Sequence, residues 1–270
     1  MSTEVTVRED VQIVTQSEEY FAFPLTPGQR TMLPAPLEST PDSRFNGAFR
    51  MNLAGPIDLV LLERSLQEIA NRHEALRTVF RSVDGEVMQI ILPHGSTTLD
   101  VFDFTTLTEQ QQVEQIDAVC LREAQANFNL TLHPPVRTVL LRLSSGRSML
   151  VLTIHQIIGD GWSIGIWMEE LARIYTAFAA GLQNPLPPLD FQFGDYVVWQ
   201  QEMTERPEIK EQLTYWKNRL TGAQQIKIEP DFEAPAQMSI QSDILSAMLP
   251  GDLSQGLRQL AQSRVQRFSW

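Results

Sequence analysis

The chain has 270 residues and a formal net charge of −12, with 43% hydrophobic and 20% charged residues. These values are typical of a globular protein that buries a core, either as one large domain or as two lobes. The negative charge disfavours nucleic-acid and anionic membrane partners. No segment approaches ~18 consecutive apolar residues, and the polar N-terminus does not resemble a signal peptide. We therefore expect a cytoplasmic protein, whose single Cys120 is a core residue in a reducing compartment.

Composition and helix-capping residues predict the secondary structure of the first part of the chain. Residues 1–20 are polar and acidic without a sustained period, which predicts a tail or linker. Thr26 is placed to cap a short helix that has Pro27 at its first position. Weak alternation over residues 45–53 predicts a strand. Asp58 then precedes an apolar stripe at three- and four-residue steps, so it is predicted to cap the first long helix.

The middle of the chain alternates between strands and helices. Two strands are predicted around a turn at residues 84–85, and a helix is predicted over 109–125. Two buried-looking strands follow, joined by a turn at 144–147. A long helix is predicted from Trp162 to Gly181, where glycine is a natural residue after a helix end. This alternation predicts a mixed α/β fold.

Three prolines within residues 184–189 predict a connection between two lobes. An aromatic segment over 191–201 and a helix over 211–220 follow, and residues 242–264 suggest a strand and then a helix. The predicted organisation has three parts: a tail over 1–20, an N-terminal lobe over 21–183, and the start of an incomplete C-terminal lobe over 184–270.

A loop between strand and helix carries the polar groups that suggest chemistry. His155 stands at the predicted strand end, where it suits proton transfer near neutral pH, although a lone histidine at such a place is more often structural than catalytic. Gly159 and Gly161 permit tight or positive-φ geometry. Asp160 is placed to cap the next helix or to form an ion pair. The four histidines are widely scattered, so we expect no metal site.

Four stretches of the sequence resemble motifs of one family, and they follow one another in the order in which that family has them. The stretch IHQIIGDGWS resembles HHxxxDG, and RHEALRTVF resembles RHExLRTxF almost residue for residue. FPLTPGQRTML is similar to an opening S-x-A-Q-x-R-[LM]-W element, and FQFGDYVVWQQ to a Y-x-D-Y-A-x-W element. On these motifs the chain resembles the condensation domains of nonribosomal peptide synthetases.

The resemblance implies a chloramphenicol-acetyltransferase-like sandwich of two lobes, here with a complete N-terminal lobe and a partial C-terminal lobe. It implies a tunnel in which an acceptor amine attacks a donor thioester and forms an amide. Both substrates would arrive on the phosphopantetheine arms of partner carrier proteins, within adjacent synthetase modules. No cofactor bound to this chain is implied.

The resemblance also implies roles for the loop residues. His155 would orient the loop, and Gln156 occupies the position of the family's second histidine, which positions or deprotonates the amine. Asp160 would order the loop through an ion pair with an arginine, either one in the part of the family domain that we expect this chain to lack or, within this chain, Arg77. The backbone N–H of Gly161 would meet a substrate oxyanion, at a place where a side chain would crowd it. Further residues expected to support the loop or the substrate are Gly159, Trp162, Ser163, Arg72 and His73.

Two departures from the family pattern leave alternatives open. Gln156 cannot take up a proton at physiological pH. The chain is also expected to cover little more than half of a typical member, so we expect a fragment with impaired activity. One alternative is a non-catalytic relative that docks carrier proteins. A second is an acyltransferase of the same fold that acts on an alcohol.

Overall fold

The computed structural model describes residues 6–7, 12–15, 18–33, 37, 43–95, 97–224 and 247–263. Over these residues the chain contains both helices and strands, in agreement with the predicted mixed α/β class. The α-helices are α1 (Pro27–Met32), α2 (Leu59–Arg72), α3 (Glu109–Gln125), α4 (Gly161–Ala179), α5 (Phe193–Glu205), α6 (Pro207–Leu220) and α7 (Gly251–Ser263). The strands are β1 (Thr6–Val7), β2 (Gln12–Thr15), β3 (Glu18–Phe23), β4 (Asn46–Ala54), β5 (Thr78–Val83), β6 (Glu86–Ile91), β7 (Leu99–Asp103), β8 (Val136–Ser144) and β9 (Arg147–His155). Short 3₁₀ helices lie at Ser43–Phe45 and Glu74–Arg77.

The strands form two sheets. The first has the order β1-β2-β3-β6-β5 and is antiparallel throughout. The second has the order β4-β9-β8-β7, in which β7 runs parallel to β8 and the other pairs are antiparallel. The predicted turn between β5 and β6 is confirmed, with φ of 51° at Asp84 and 86° at Gly85. Positive φ at both central residues is what a two-residue hairpin turn of type I′ requires.

The second sheet is buried on both faces, which explains why β9 reads as a continuous apolar run. Leu150, Leu152 and Ile154 point to one face, where they pack against apolar residues of α2 and α4. Val151 points to the opposite face and packs with Cys120 of α3. The strand that leads to the loop of interest is therefore held on both sides.

Several predicted helix ends are confirmed. The side chain of Asp58 accepts a hydrogen bond from the N–H of Leu61 at 3.1 Å and caps α2. Thr26 caps α1, with Pro27 at the first helical position. Helix α3 has the bounds predicted for it, and α4 is followed by Gly181 at a φ of 72°.

Residues 1–20, for which a tail or linker was predicted, include three strand segments that were not predicted: β1, β2 and the start of β3. These strands pair with each other, and β3 also pairs with β6, so that Phe21 lies opposite Ile91. The pairing is made by backbone groups and joins residues far apart in sequence, so polar composition does not reveal it. Strand β7, which pairs with β8, was not predicted either.

The chain divides into two compact units. Met1–Ala223 contains both sheets and helices α1 to α6, whereas Gln224–Trp270 contains α7. Most of the strand predicted within 242–264 lies outside the described residues, and residues 247–250 form no strand. The division into lobes at residue 184 stays a prediction. In the part of the chain that the structure describes, no helix is long and apolar enough to cross a membrane.

Candidate active site

A five-residue loop joins the end of β9 to the start of α4, and all of it lies in the first unit. The backbone is tied to neighbouring segments where the strand passes into the loop. The N–H of His155 donates to the carbonyl of Pro135 at 3.0 Å, and the N–H of Gln156 donates to that of Phe45 at 2.8 Å. The N–H of Ile158 donates to the carbonyl of His155 at 3.1 Å. Because β9 lies between β4 and β8, the loop starts from a rigid support.

His155 is buried, with 1% of its surface exposed. Its ring lies 5.8 Å from that of Phe45 and 6.4 Å from that of Phe128, measured between centroids. Its Nδ1 accepts a hydrogen bond from the N–H of Ile157 at 3.1 Å. A nitrogen that accepts carries no proton, so the neutral ring is protonated at Nε2. The imidazole thus contacts the loop backbone from within the core.

Gln156, the next residue, has the opposite environment. Its side chain is exposed and forms no hydrogen bond with the residues that the structure describes. The carboxamide is therefore available to a ligand as an acceptor and as a donor. Trp162, on the first turn of α4, is 84% exposed.

Asp160 caps helix α4. Its Oδ1 accepts hydrogen bonds from the N–H of Ser163 at 2.9 Å and from its hydroxyl at 2.8 Å, and the Ser163 Oγ accepts from the N–H of Asp160 at 3.2 Å. The predicted ion pair between Asp160 and Arg77 is wrong. Arg77 instead pairs with Glu74 at 3.2 Å and donates to the carbonyl of Leu92, the residue after β6. The carboxylate of Asp160 accepts its hydrogen bonds from Ser163 instead.

The cap makes a pH-dependent contribution to stability. Hydrogen bonds from the Ser163 N–H, and then from its hydroxyl, hold the pKa of the Asp160 carboxyl below its ordinary value. A depressed folded-state pKa gives stability that is present above the unfolded value of about 4 and is lost as the pH falls through the folded value. We expect Asp160→Ala to lower the free energy of unfolding by about 1 kcal/mol at pH 7. Urea titrations should show this difference shrinking below about pH 4; a constant difference would contradict the assignment.

The two loop glycines differ in their surroundings, and of the two expected alternatives, tight or positive-φ geometry, a positive φ is found at neither. A Cβ at Gly159 would lie 2.9 Å from Cδ1 of Ile154 and 3.4 Å from Cβ of Ser163. Apart from its chain neighbours and the backbone of its own helix, a Cβ at Gly161 would meet no atom of the described residues within 4 Å. A methyl at Gly159 would therefore have to displace the end of the Ile154 side chain, whereas the space around Gly161 is open.

This contrast gives a stability prediction. We expect Gly159→Ala to lower the free energy of unfolding by about 1 kcal/mol, because the added methyl must displace Ile154 in a packed core. Gly161→Ala should change it by less than about 0.5 kcal/mol. Urea unfolding of both variants measures the difference, and equal costs would show that the packing contact at Gly159 does not matter.

An apolar cleft of about 200 Å³ lies beside the loop. Its walls include Ile164 and Trp167 of α4, Leu76 and Phe193, with Ser163 and His73 as the polar members. Such a cleft suits an apolar group carried on a substrate. Ser163 thus links the cap of α4 to the wall of the cleft.

Arg72 and His73 do not join the loop but meet Glu170 of α4. The Nε of Arg72 lies 3.1 Å from Oε1 of Glu170, and the Nε2 of His73 lies 2.6 Å from Oε2. Sequence reasoning missed Glu170. The sequence offered one signal for Glu170, namely a carboxylate on an otherwise apolar helix face. A buried glutamate needs charged or hydrogen-bonding partners, so this position indicates that such partners lie nearby. Within the described ranges, no group of three or more His, Cys, Asp or Glu side chains is arranged to hold a metal ion.

The fold and the strand-to-helix loop define the class of the protein as a chloramphenicol-acetyltransferase-like α/β domain. The X-domain from teicoplanin biosynthesis matches with a TM-score of 0.76 and 29% identity, over 98% of this chain and 56% of that one. In its complex with OxyB, the X-domain matches with a TM-score of 0.68 and 31% identity, over 86% of this chain and 50% of that one. Malpinin synthetase from Mortierella alpina is 36% identical over 78% of this chain and 3% of the synthetase.

The sequence model of the condensation domain family matches residues 21–266, and the chain belongs to this family. The predicted family, the condensation domains of nonribosomal peptide synthetases, and the predicted fold class are confirmed. The chain spans about half the length of the solved structures that it matches, 50% and 56%.

Proposed function

We propose that this chain takes part in forming an amide bond between two substrates held as thioesters on partner carrier proteins. The nitrogen of the acceptor amine attacks the donor thioester carbonyl, and the carbonyl electron pair moves to oxygen. The intermediate then collapses, the C–S bond breaks, and the donor's phosphopantetheine leaves as a thiol with the proton that the amine gives up. The single observation that carries the proposal is the open N-terminus of α4 beside the loop.

Gly161 is the donor for the oxyanion in this proposal. As the first residue of α4, it has an N–H without an acceptor inside the helix. The positive end of the helix dipole favours negative charge at the same place. The open space around the Gly161 Cα leaves room for a thioester to approach. A preorganised donor aimed at developing charge is a large term in acyl transfer.

Gln156 positions the acceptor. Its exposed carboxamide oxygen accepts an N–H of the amine, but the side chain cannot take up the proton. An amine is nucleophilic as its free base, whereas an alcohol depends on a base to remove its proton. Gln156 therefore favours an amine acceptor over an alcohol. Solvent carries the proton from the amine to the departing thiolate, and turnover is lower than with a base at this position.

The remaining site residues support the loop. His155 orients it by accepting from the Ile157 N–H, and the cap formed by Asp160 and Ser163 fixes the start of α4. The cleft lined by Trp167 and Phe193 receives an apolar part of a substrate. The protein works in the cytoplasm with carrier proteins and adjacent synthetase modules as its partners.

A second candidate function is non-catalytic docking of another protein. Gln156 favours it, and so does the similarity to the X-domain from teicoplanin biosynthesis, which was solved in complex with OxyB. Mass spectrometry of a condensation assay with loaded donor and acceptor carrier proteins distinguishes the two. Amide product from the full-length protein supports condensation. Binding of both carriers without product would favour docking.

A further inference from the structure

Glu170 is a buried carboxylate that the proposed chemistry does not use. Its side chain is 11% exposed, and its helix face otherwise carries apolar residues such as Trp167, Leu171 and Ile174. A charge in such a place is retained only when it is paired and hydrogen-bonded. The partners of Glu170 therefore indicate what it is for.

Both partners lie at the end of helix α2. Arg72, the last residue of α2, approaches both carboxylate oxygens through its Nε, at 3.1 and 3.2 Å. His73, which caps the helix, places its Nε2 2.6 Å from Oε2. One carboxylate on α4 thus holds two consecutive side chains of another helix.

The network continues from Arg72 into the segment that precedes α5. Arg72 donates from Nη1 to the carbonyl of Pro187, and its own carbonyl accepts from the side chain of Gln192 at 2.9 Å. The side-chain oxygen of Gln192 accepts from the N–H of Glu74 at 3.1 Å. These bonds join α2, α4 and the connection after α4 around one charged group.

Hydrogen bonds are needed to fix the position of α4 along its axis, because the apolar contacts of this helix are not directional. The core contacts of Ile164, Leu171 and Ile174 hold α4 against the sheet, but burial alone tolerates small shifts along a helix axis. Charged hydrogen bonds fix distance and orientation together. Since α4 begins at Gly161, its register along the axis sets where that N–H points.

We propose that Glu170 is a positioning residue for the reaction at the loop: through Arg72 and His73 it fixes the register of α4, and with it the Gly161 N–H. This inference rests on the proposed amide formation. A misplacement of about 1 Å costs roughly 10²-fold in rate. Glu170→Gln removes the charge at constant shape, and it should lower kcat by that factor while KM for the loaded carriers stays within about two-fold.

The control lies next to Glu170 on the same helix. Glu169 is 73% exposed and lies 3.8 Å from Arg173, so Glu169→Gln should leave kcat unchanged. Glu170→Asp keeps the charge but is one methylene shorter, and it should recover part of the kcat lost in Glu170→Gln. A kcat for folded Glu170→Gln within about two-fold of the wild-type value would overturn the proposal.

A double variant separates positioning from stability. Replacing Arg72 and Glu170 together by Met exchanges the buried charges for apolar groups of similar size, which restores stability in other buried pairs. We expect R72M/E170M to regain the melting temperature that Glu170→Gln loses, with kcat still reduced. Recovery of both quantities together would mean that Glu170 acts only on stability, and would overturn the proposal.

A measurement without substrate distinguishes failure of this inference from failure of the proposed function. Hydrogen exchange of the Ser163 and Ile164 amides reports on the first turn of α4. We expect several-fold faster exchange there in Glu170→Gln than in Glu169→Gln. If the wild-type protein makes no amide, the proposed function fails, and the exchange comparison alone then tests whether Glu170 positions α4. Faster exchange in Glu170→Gln supports the positioning role, and unchanged exchange overturns it.

Discussion

Gly161→Pro is expected to lower the rate of amide formation by about 10²–10³-fold while leaving the fold intact. Proline has no backbone N–H, so the variant removes the donor assigned to the oxyanion. Removal of one preorganised donor of this kind has that order of effect in other acyl-transfer enzymes. The loss should appear in kcat, since the donor acts on charge that develops in the transition state.

The local structure admits proline at this position. Gly161 is the first residue of α4, where a missing N–H breaks no bond of the helix. Asp160 has φ of −131° and ψ of −174°, the extended backbone that proline imposes on its predecessor. Among the described residues, a Cβ at Gly161 meets no atom within 4 Å beyond its chain neighbours and its own helix backbone, which leaves room for the start of the ring.

Gly161→Ala is the matched control, because it adds a side chain and keeps the N–H. A condensation assay of the two variants with loaded carriers, together with their melting temperatures, makes the comparison. If Gly161→Pro and Gly161→Ala lose the same rate, crowding and not the donor is responsible. If neither loses rate, the oxyanion assignment is wrong.

Local features of this fold could be predicted from the sequence. The caps of α1 and α2 at Thr26 and Asp58, and the turn at Asp84 and Gly85, are set by residues close together in the chain. The same holds for the placement of His155 and Asp160 around the loop, because a strand end and a helix start are both local signals.

Features that depend on distant neighbours could not be predicted. The failure of Arg77 to meet Asp160 depends on how the chain packs after residue 77, since the hairpin brings the Leu92 carbonyl to Arg77, which also pairs with Glu74. The need for glycine at residue 159 comes from Ile154 and Ser163, which meet the missing Cβ only in the folded protein. Glu170 gave only a weak sequence signal, since its partners Arg72 and His73 lie almost a hundred residues earlier.

Gln156→His is expected to raise the rate of amide formation by about 10²-fold, the lower range for a positioned general base. Gln156 is exposed, so its replacement disturbs no core contact. Imidazole accepts the proton that the attacking amine gives up, and glutamine cannot. His155 does not fill this role in the present chain, because its ring is buried and its Nδ1 is bonded to the Ile157 N–H.

The gain should depend on pH in a defined direction. Only neutral imidazole is a base, so the ratio of the Gln156→His rate to the wild-type rate should rise as the pH increases through about 6.5. Gln156→Asn has a shorter amide without a basic nitrogen, and it should show no such rise. Gln110→His adds a histidine at another exposed glutamine, on α3, and controls for a general effect of the new side chain. If Gln156→His matches the wild-type rate at every pH, proton removal at this position does not limit turnover. If the rate rises without any dependence on pH, histidine positions the amine better than glutamine but does not act as its base.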